Sequence, residues 1–182
     1  HHLRTIMSYT QQGKYQEMME YLQEYASVIT EGEKLICYCR NMAVDAVIHF
    51  YAGELREKGI PFECDMMLPQ NIGISDTDLC KIYGNLLENA VDAVKDLLPE
   101  NKPYVKMLTK VKNKKLLIEI SNPYSNEIQR REKVFYSTKH EGFGIGTASV
   151  AEVVQRMGGY VVFNTEEGIF KVNIFLPVKT VQ

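Results

Sequence analysis

Four polar side chains that carry oxygen atoms cluster on one short stretch of the chain. Asn85 and Asn89 stand four residues apart, with Glu88 and Asp92 beside them. At 100° per residue they share one face of a helix, and the apolar residues of the stretch share the opposite face. Asparagine and aspartate each cost several tenths of a kcal/mol in a helix interior, so an ordinary solvated face would favour other residues.

Mg²⁺ prefers oxygen ligands and takes one or two from the protein, with phosphates and water supplying the rest. An amide oxygen beside a carboxylate fits that preference. The helix by itself leaves two interpretations open, a cation site and a merely solvated face.

A second segment with binding chemistry runs from Ser137 to Thr147. Gly142, Gly144 and Gly146 alternate there and lead directly into a helix. Glycines let backbone N–H groups approach a ligand closely, and a helix N-terminus favours negative charge. The spacing is neither that of a dinucleotide-binding turn nor that of a P-loop. It predicts a phosphate cradle, with a ligand-free hinge as the alternative.

The polar stretch between Asn122 and Ser137 is rich in basic side chains and long for a connection. It predicts a mobile lid that meets phosphates, with a solvated loop as the alternative.

The elements that position these segments follow from periodicity and turn residues. They predict an α+β fold, in which a helical hairpin precedes an α/β sandwich with a mostly antiparallel sheet and helices on one face. We expect helices over residues 3–29, 35–55, 75–98 and 147–157, and strands over 60–67, 104–111, 115–121, 160–164 and 169–176.

The predicted domains are a hairpin over residues 1–58 and a catalytic domain over 59–182. Two helices with a continuous apolar seam cannot bury it alone, so a homodimer through residues 1–58 is expected. The alternative is that the hairpin packs on its own downstream domain. The seam predicted for the second helix is Leu35, Cys39, Met42, Ala46 and Phe50.

Composition narrows the function further. The 182 residues carry 21 basic and 23 acidic side chains, a net charge of −2, which argues against a nucleic-acid binder. No run approaches the roughly 18 apolar residues of a membrane span, so we expect a chain that is soluble as it stands. Cysteines without CxxC spacing predict reduced core residues rather than a disulfide or zinc framework; they are Cys37, Cys39, Cys64 and Cys80.

The two segments together resemble a known family. With Asn85–Ala90 followed by Gly142–Gly146, residues 59–182 are similar to the ATP-binding domain of the GHKL superfamily, which includes gyrase and histidine kinases. The phrases Ser137–Lys139 and Ile120–Asn122 resemble sensor histidine kinases of the quorum-sensing peptide-receptor type.

The resemblance implies roles for individual residues. Asn89 matches the asparagine that coordinates Mg²⁺, and Asn85 matches a position that is a catalytic glutamate in the ATPases of the superfamily. An amide there cannot act as a base, which fits a kinase. Glu88 and Asp92 would support the metal waters or the ribose. The residues assigned to the phosphates are Lys139, Gly142, Gly144, Ile145, Gly146 and Thr147, with Lys139 as a clamp.

Two departures from the family pattern stand out. Asn122 replaces the aspartate that bonds the adenine amine, although its amide oxygen can accept the same hydrogen bond. The match also places the phosphoacceptor histidine upstream of His1, outside this sequence. His1 or His2 as the acceptor is the alternative.

The resemblance therefore implies the cytoplasmic catalytic fragment of a sensor histidine kinase from a bacterial membrane receptor whose sensor region lies upstream. It would bind ATP and Mg²⁺ and pass the γ-phosphoryl to a histidine for relay to a response regulator. The rival interpretations are a GHKL ATPase, an anti-sigma-like serine kinase, and a non-enzymatic dimerisation module with a vestigial nucleotide pocket.

Overall fold

The computed structural model describes residues 14, 16, 17, 20, 36–124 and 145–178, with the backbone alone for 145–147. The chain forms two compact units, His1–Cys37 and Tyr38–Gln182. The second unit holds nearly all of the described residues. The helix predicted over residues 3–29 falls almost entirely outside them.

The described residues of the second unit form three helices, a short 3-10 turn and one five-stranded sheet. In chain order these are α1 (Met42–Glu57), β1 (Phe62–Met66), α2 (Asp76–Val94), the turn Pro99–Asn101, β2 (Val105–Lys112), β3 (Lys115–Pro123), α3 (Ile145–Arg156), β4 (Tyr160–Glu166) and β5 (Ile169–Pro177).

Helix α1 is preceded by a buried capping residue, Asn41, and is followed closely by a glycine, Gly59. The side-chain oxygen of Asn41 accepts from the backbone N–H of Val44 at 2.9 Å, which satisfies one of the free donors at the helix start. Gly59 follows the helix with a φ of +66°, a conformation that favours glycine.

The face that α1 buries differs from the seam expected from the sequence. Val44, Ile48 and Leu55 are buried, whereas Met42 is 79% exposed and Ala46 is also exposed. The helix therefore has two apolar sides, and the side rotated away from the predicted seam packs on α2. Periodicity alone could not choose between them because both sides repeat at helical spacing.

The compact unit begins at Tyr38, ahead of the predicted domain boundary at residue 59, so α1 lies in the same unit as the sheet. The alternative, in which the hairpin packs on the downstream domain, involves residues outside the described ones and stays a prediction. The division into 1–58 and 59–182 stays a prediction.

Helix α2 crosses the sheet and supplies the largest part of the core. Its N-cap Ser75 accepts from the backbone N–H of Asp78 at 3.1 Å. The hydroxyl of the fully buried Tyr83 lies 3.0 Å from the hydroxyl of Thr109 on β2, so its one polar atom is satisfied. The buried side of α2 comprises Leu79, Ile82, Tyr83, Leu86, Leu87, Ala90, Val91 and Val94.

The sheet has the strand order β1-β2-β3-β5-β4. β1 runs parallel to β2 and the other pairs are antiparallel, which confirms the predicted mostly antiparallel α+β fold. The strands β2 and β3 form one β-hairpin and β4 and β5 form another, and the tight turns of both use left-handed residues. Asn113 and Lys114 have φ values of 51° and 59°, and Glu167 and Gly168 have 52° and 77°, the conformation of type I′ turns.

The two faces of the sheet differ in chemistry. Alternate residues of β3, including Ile118, Ile120 and Asn122, are buried on the face that the helices cover. The outer face carries ion pairs between neighbouring strands. They are Lys106–Glu63 at 2.9 Å, Lys110–Asp65 at 3.6 Å and Lys171–Glu119 at 3.0 Å.

Helix α3 is pressed onto the sheet through a glycine pair. Gly158 has a φ of +74°, and a Cβ on Gly159 would collide with the Phe175 carbonyl oxygen and stand 2.7 Å from the Leu176 side chain. Glycine is therefore required for the close approach of the helix end to β5.

All four cysteines lie among the described residues, and they form no disulfide. Cys39 is buried, and Cys64 and Cys80 are partly buried, but Cys37 is exposed. The prediction of four core cysteines was therefore wrong for Cys37. Burial raises the pKa of the Cys64 thiol to about 12, with smaller contributions from Cys39, Asp65 and Asp45. Among the described residues, no helix is long and apolar enough to cross a membrane.

Candidate functional site

The polar face predicted from the sequence lies on α2, on the side away from the sheet. Glu88 and Asp92 are exposed, and Asn85 and Asn89 are partly buried at its border. The structure thus brings all four residues together on one side of one helix.

Asn89 stands out because its side chain is not satisfied. Its amide nitrogen Nδ2 is buried and has no hydrogen-bond partner among the described residues. A buried polar atom without a partner costs about 1–3 kcal/mol, so such an atom calls for an explanation. An external ligand that accepts from this amide would satisfy it, and so would a flip that turns the oxygen towards a cation.

Asn85 is held by its own helix. Its Nδ2 donates to the backbone oxygen of Lys81 at 2.6 Å, one turn earlier. The amide is fixed along the helix surface, and it offers no carboxylate that could take a proton from water.

The acidic residues of the face have neighbours of their own. Lys95 lies 2.6 Å from the Asp92 carboxylate, and this hydrogen bond raises the pKa of Lys95. Burial raises the pKa of Tyr51, on α1, to about 12, with further contributions from Glu88, Glu54 and Asp92. Tyr51 therefore borders the acidic side of the face from the neighbouring helix.

We infer that helix α3 runs antiparallel to α2. β2 and β4 are antiparallel to each other in the sheet, and α2 and α3 precede these two strands in the chain. The contact of Arg156, at the end of α3, with Asp78, at the start of α2, agrees with that arrangement.

Counted from the contact between Asp78 and Arg156, Asn89 and Ile145 lie equally far along their helices. Asn89 follows Asp78 by eleven residues, and Arg156 follows Ile145 by the same number. At 1.5 Å per residue both helices cover roughly 16 Å from the shared contact. Eleven residues are also close to three full turns, so Asn89 projects on the same stripe of α2 as Asp78.

The start of α3 is suited to an anion. The first N–H groups of a helix have no partner within it and carry the positive end of its dipole. Ile145, Gly146 and Thr147 form this first turn. Backbone donors at a helix start and an amide side chain on a neighbouring helix are the groups that a magnesium–phosphate site uses.

Asn122 lies at the end of β3 on the face that the helices cover. It is almost fully buried, and its Nδ2 donates to the backbone oxygen of Pro123 at 2.9 Å. The nitrogen is thus engaged, and the oxygen is the atom assigned to the adenine amine, an assignment that stays a prediction.

Several predicted site residues lie outside the described residues. Lys139, Gly142 and Gly144 belong to the segment 125–144, and His1 and His2 belong to the first unit. Their roles stay predictions, as does the lid between Asn122 and Ser137.

Sequence reasoning missed the ion pair between Asp78 and Arg156. The spacing of Ser75 and Asp78 signals a helix cap, and nothing in it signals a partner 78 residues away. Only the packing of the two helices brings that pair together.

Comparison with known proteins identifies the fold family. The sequence profile of the GHKL domain matches residues 74–177, which include α2, α3 and four of the five strands. This chain belongs to the GHKL domain family.

Relatives of this GHKL chain include sensor proteins. It is 26% identical over 186 residues to the sensor protein CitS of Bacillus subtilis (strain 168), a match that covers 96% of the chain and 33% of CitS. The chain therefore spans about a third of the length of that curated relative.

Solved histidine kinase structures share the fold of the GHKL chain. The catalytic domain of histidine kinase ThkA aligns with a TM-score of 0.55 at 17% identity, covering 75% of this chain and 92% of ThkA. Full-length ShkA in complex with AMPPNP aligns with a TM-score of 0.56 at 20% identity, covering 78% of this chain and 30% of ShkA. The predicted resemblance to histidine kinases is confirmed, while the peptide-receptor subtype stays a prediction.

Proposed function

We propose that this chain is the catalytic part of an ATP-dependent protein histidine kinase. It binds ATP with Mg²⁺ between α2 and α3 and transfers the γ-phosphoryl to a histidine side chain, from which a response regulator receives it. The match to CitS and the fold shared with histidine kinase catalytic domains support this proposal.

One observation carries the proposal for this molecule. The buried amide of Asn89 has no partner among the described residues, and counted from the contact between Asp78 and Arg156 it lies as far along α2 as Ile145 lies along α3. A magnesium–phosphate group would satisfy this amide, because the flipped amide would offer its oxygen to the metal and backbone N–H groups at the start of α3 would donate to phosphate oxygens.

Each residue then has one role in phosphoryl transfer, a reaction whose catalysis is mostly positioning and charge stabilisation. Bound Mg²⁺ supplies neutralisation of the phosphate charge. Asn89 holds the metal, while Glu88 and Asp92 orient its waters or the ribose. The first turn of α3 holds phosphate oxygens, Lys139 clamps them, and Asn122 accepts from the adenine amine. Asn85 provides no general base, which protects ATP from hydrolysis.

Titration with a fluorescent ATP analogue and Mg²⁺ tests the site. We expect Asn89→Ala to weaken binding tenfold or more, since a hydrogen bond or ligand to a charged group contributes about 1.5–3 kcal/mol. Asn173→Ala is the matched control, because it removes an amide from the outer face of the sheet and should leave the affinity unchanged. Equal affinities for wild type and Asn89→Ala would overturn the proposal.

The reaction itself distinguishes the proposed kinase from its rivals. We expect acid-labile, base-stable phosphohistidine on a histidine-bearing acceptor helix supplied in trans. Steady ATP hydrolysis without phosphohistidine would indicate an ATPase, acid-stable phosphoserine would indicate a serine kinase, and absence of nucleotide binding would indicate a vestigial pocket.

We further propose that the chain dimerises through residues 1–58. The outer side of α1 supports this, because Met42 is 79% exposed and Ala46 is exposed as well on a helix whose inner side is already buried. An apolar side left open on a helix favours a partner surface. The second copy of a four-helix bundle is the partner we propose.

Sedimentation of a double variant tests the dimer. Met42→Lys with Ala46→Glu should weaken self-association tenfold or more, since each change puts a charge into an apolar interface. Met67→Lys is the control, because Met67 is also exposed, at 62%, but lies after β1. A dimer that withstands the double variant would exclude this surface.

The wider setting is proposed from the relatives. Since the sensor protein CitS is longer than this chain, we propose that the kinase belongs to a bacterial membrane receptor and faces the cytoplasm. Expression of the parent gene product and its fractionation with membranes would test this.

A further inference from the structure

Asp78 and Arg156 tie the two helices of the proposed site together at the end away from the ligand. An NH2 nitrogen of Arg156 donates to Oδ1 of Asp78. The Asp78 side chain is 23% exposed and that of Arg156 is 60% exposed. We call this ion pair, together with Ser75, the α2–α3 clasp.

Asp78 is also held by Ser75, the capping residue of its own helix. The hydroxyl of Ser75 donates to Oδ2 of Asp78 at 2.9 Å, and it accepts from the Asp78 backbone N–H at 3.1 Å. Both carboxylate oxygens are therefore engaged, one by the helix cap and one by the guanidinium. A carboxylate held in this way offers Arg156 a fixed point on α2.

The buried residues of α3, among those that the structure describes, are apolar. Val150, Val153 and Val154 are buried beneath it, and such contacts hold a helix against its neighbours without defining its axial position as strictly as a directional hydrogen bond does. Gly158 and Gly159 anchor its far end to β5. The clasp is a directional polar contact between α2 and α3.

The position of α3 along α2 decides whether the proposed ligands meet. The metal ligand Asn89 is on α2, the phosphate-binding turn begins α3 at Ile145, and each lies eleven residues from the clasp. A shift of one helix along the other changes the separation between metal ligand and phosphate donors by the same amount. Displacements of about 1 Å are costly in sites of this kind.

We propose that Arg156 and Asp78 are positioning residues that set the register between the metal-binding and phosphate-binding helices. This inference rests on the proposed function. The clasp would contact neither nucleotide nor metal, and it would act by keeping Asn89, which would hold Mg²⁺, in register with the first turn of α3, which would hold phosphates.

The test is the Mg²⁺ enhancement of nucleotide affinity, the ratio of the dissociation constants measured for a non-hydrolysable ATP analogue in EDTA and in Mg²⁺. A variant that is only less stable loses folded protein equally in both titrations, so the ratio does not change. We expect Arg156→Gln to lower the ratio threefold or more, and Asp78→Asn to do the same. The double variant should lose no more than either single one, because coupled partners are not additive.

Two further variants sharpen the test. Arg156→Lys keeps a charged donor and should retain most of the enhancement. Lys171→Gln breaks a surface ion pair of similar exposure on the outer face, where Lys171 lies 3.0 Å from Glu119, and should leave the ratio unchanged. Since exposed ion pairs add only about 0–1 kcal/mol to stability, all of these variants should fold.

The outcomes separate the two proposals. An unchanged ratio in Arg156→Gln, with a clear enhancement in wild type, would overturn the positioning role and leave the kinase proposal standing. An equal fall in Lys171→Gln would also overturn it. No enhancement in wild type would overturn the proposed function, and the clasp inference with it.

Discussion

The two flanks of α2 are built in opposite ways. Towards α1, the buried Asn41 caps one helix and donates through Nδ2 to Asp76 at 2.8 Å and to the Gln70 backbone oxygen at 3.2 Å. Towards α3, the contact is an ion pair with Arg156 mostly exposed. The amide of Asn89 lacks a partner among the described residues.

The α1 flank of α2 therefore provides stability, and the α3 flank provides the groups proposed to bind a ligand. A flank whose polar groups are all satisfied internally has nothing left for a ligand and serves to hold the helix. A flank with an unsatisfied amide is less stable without ligand, and binding of a ligand raises its stability. Each of the following variants tests one side of that comparison.

Ile48→Ala should cause the largest effect, on the closed flank. Ile48 is fully buried on α1, and removing its side chain leaves a cavity worth about 2–5 kcal/mol in the free energy of unfolding. Urea denaturation measures the change. Val162→Ala, on the partly exposed edge strand β4, should lose less than about 1 kcal/mol. Similar losses at both positions would contradict a closed α1 flank that carries stability.

Asn41→Ala should cause the next largest loss in the free energy of unfolding. It removes the α1 cap and leaves the Gln70 carbonyl and Asp76 without their donor, so we expect a loss of about 2 kcal/mol. Asn41→Asp keeps the cap oxygen but turns a donor into an acceptor facing Asp76, and should be nearly as destabilised. If Asn41→Asp matched wild type, the bond to Asp76 would contribute nothing.

Asn89→Ala should change the stability of the ligand-free protein in the opposite direction. Alanine has the higher helix propensity and removes an unsatisfied donor, so the free energy of unfolding should rise by about 0.5–1 kcal/mol. Thermal unfolding without nucleotide measures this. A marked loss of stability would mean that Asn89 is a structural residue.

Tyr51→Phe should have the smallest effect, confined to alkaline pH. The pKa of Tyr51 rises from 10.0 to about 12 on folding, chiefly through burial and then through Glu88. A raised acid pKa favours the neutral phenol, so its stabilising contribution is complete below pH 10 and is lost as the pH rises towards 12.

Denaturation of wild type and Tyr51→Phe at pH 7 and pH 11 checks that contribution. We expect wild type to lose more stability than the variant between the two values. The remaining loss includes Cys64, whose thiol pKa is raised to about 12 as well. An identical loss in both proteins would exclude a role for Tyr51.

Much of the fold could be predicted because its signals are local. The cap at Ser75, the glycine after α1 and the two hairpin turns lie within a few residues of the elements they bound, so α2 and all five strands appear near their expected positions. The predicted start of the second helix at Leu35 was too early, since α1 begins only after the Asn41 cap.

The buried side of α1 was not predictable in the same way. Met42 and Ala46 repeat at helical spacing as regularly as Val44 and Ile48 do, and both sets are apolar. Which set faces the core depends on where α2 lies, which no local pattern encodes. The exposed Cys37 was misjudged for the same reason, since an apolar neighbourhood in sequence does not mean burial in space.

The candidate site likewise has features that follow from local sequence and features that follow from tertiary packing. Residue types and spacing by themselves determined that Asn85, Glu88, Asn89 and Asp92 share one helix face, because a helix repeats every 3.6 residues whatever surrounds it. The contact between Arg156 and Asp78 depends instead on the tertiary structure, because it joins residues far apart in the chain and forms where α2 and α3 pack together.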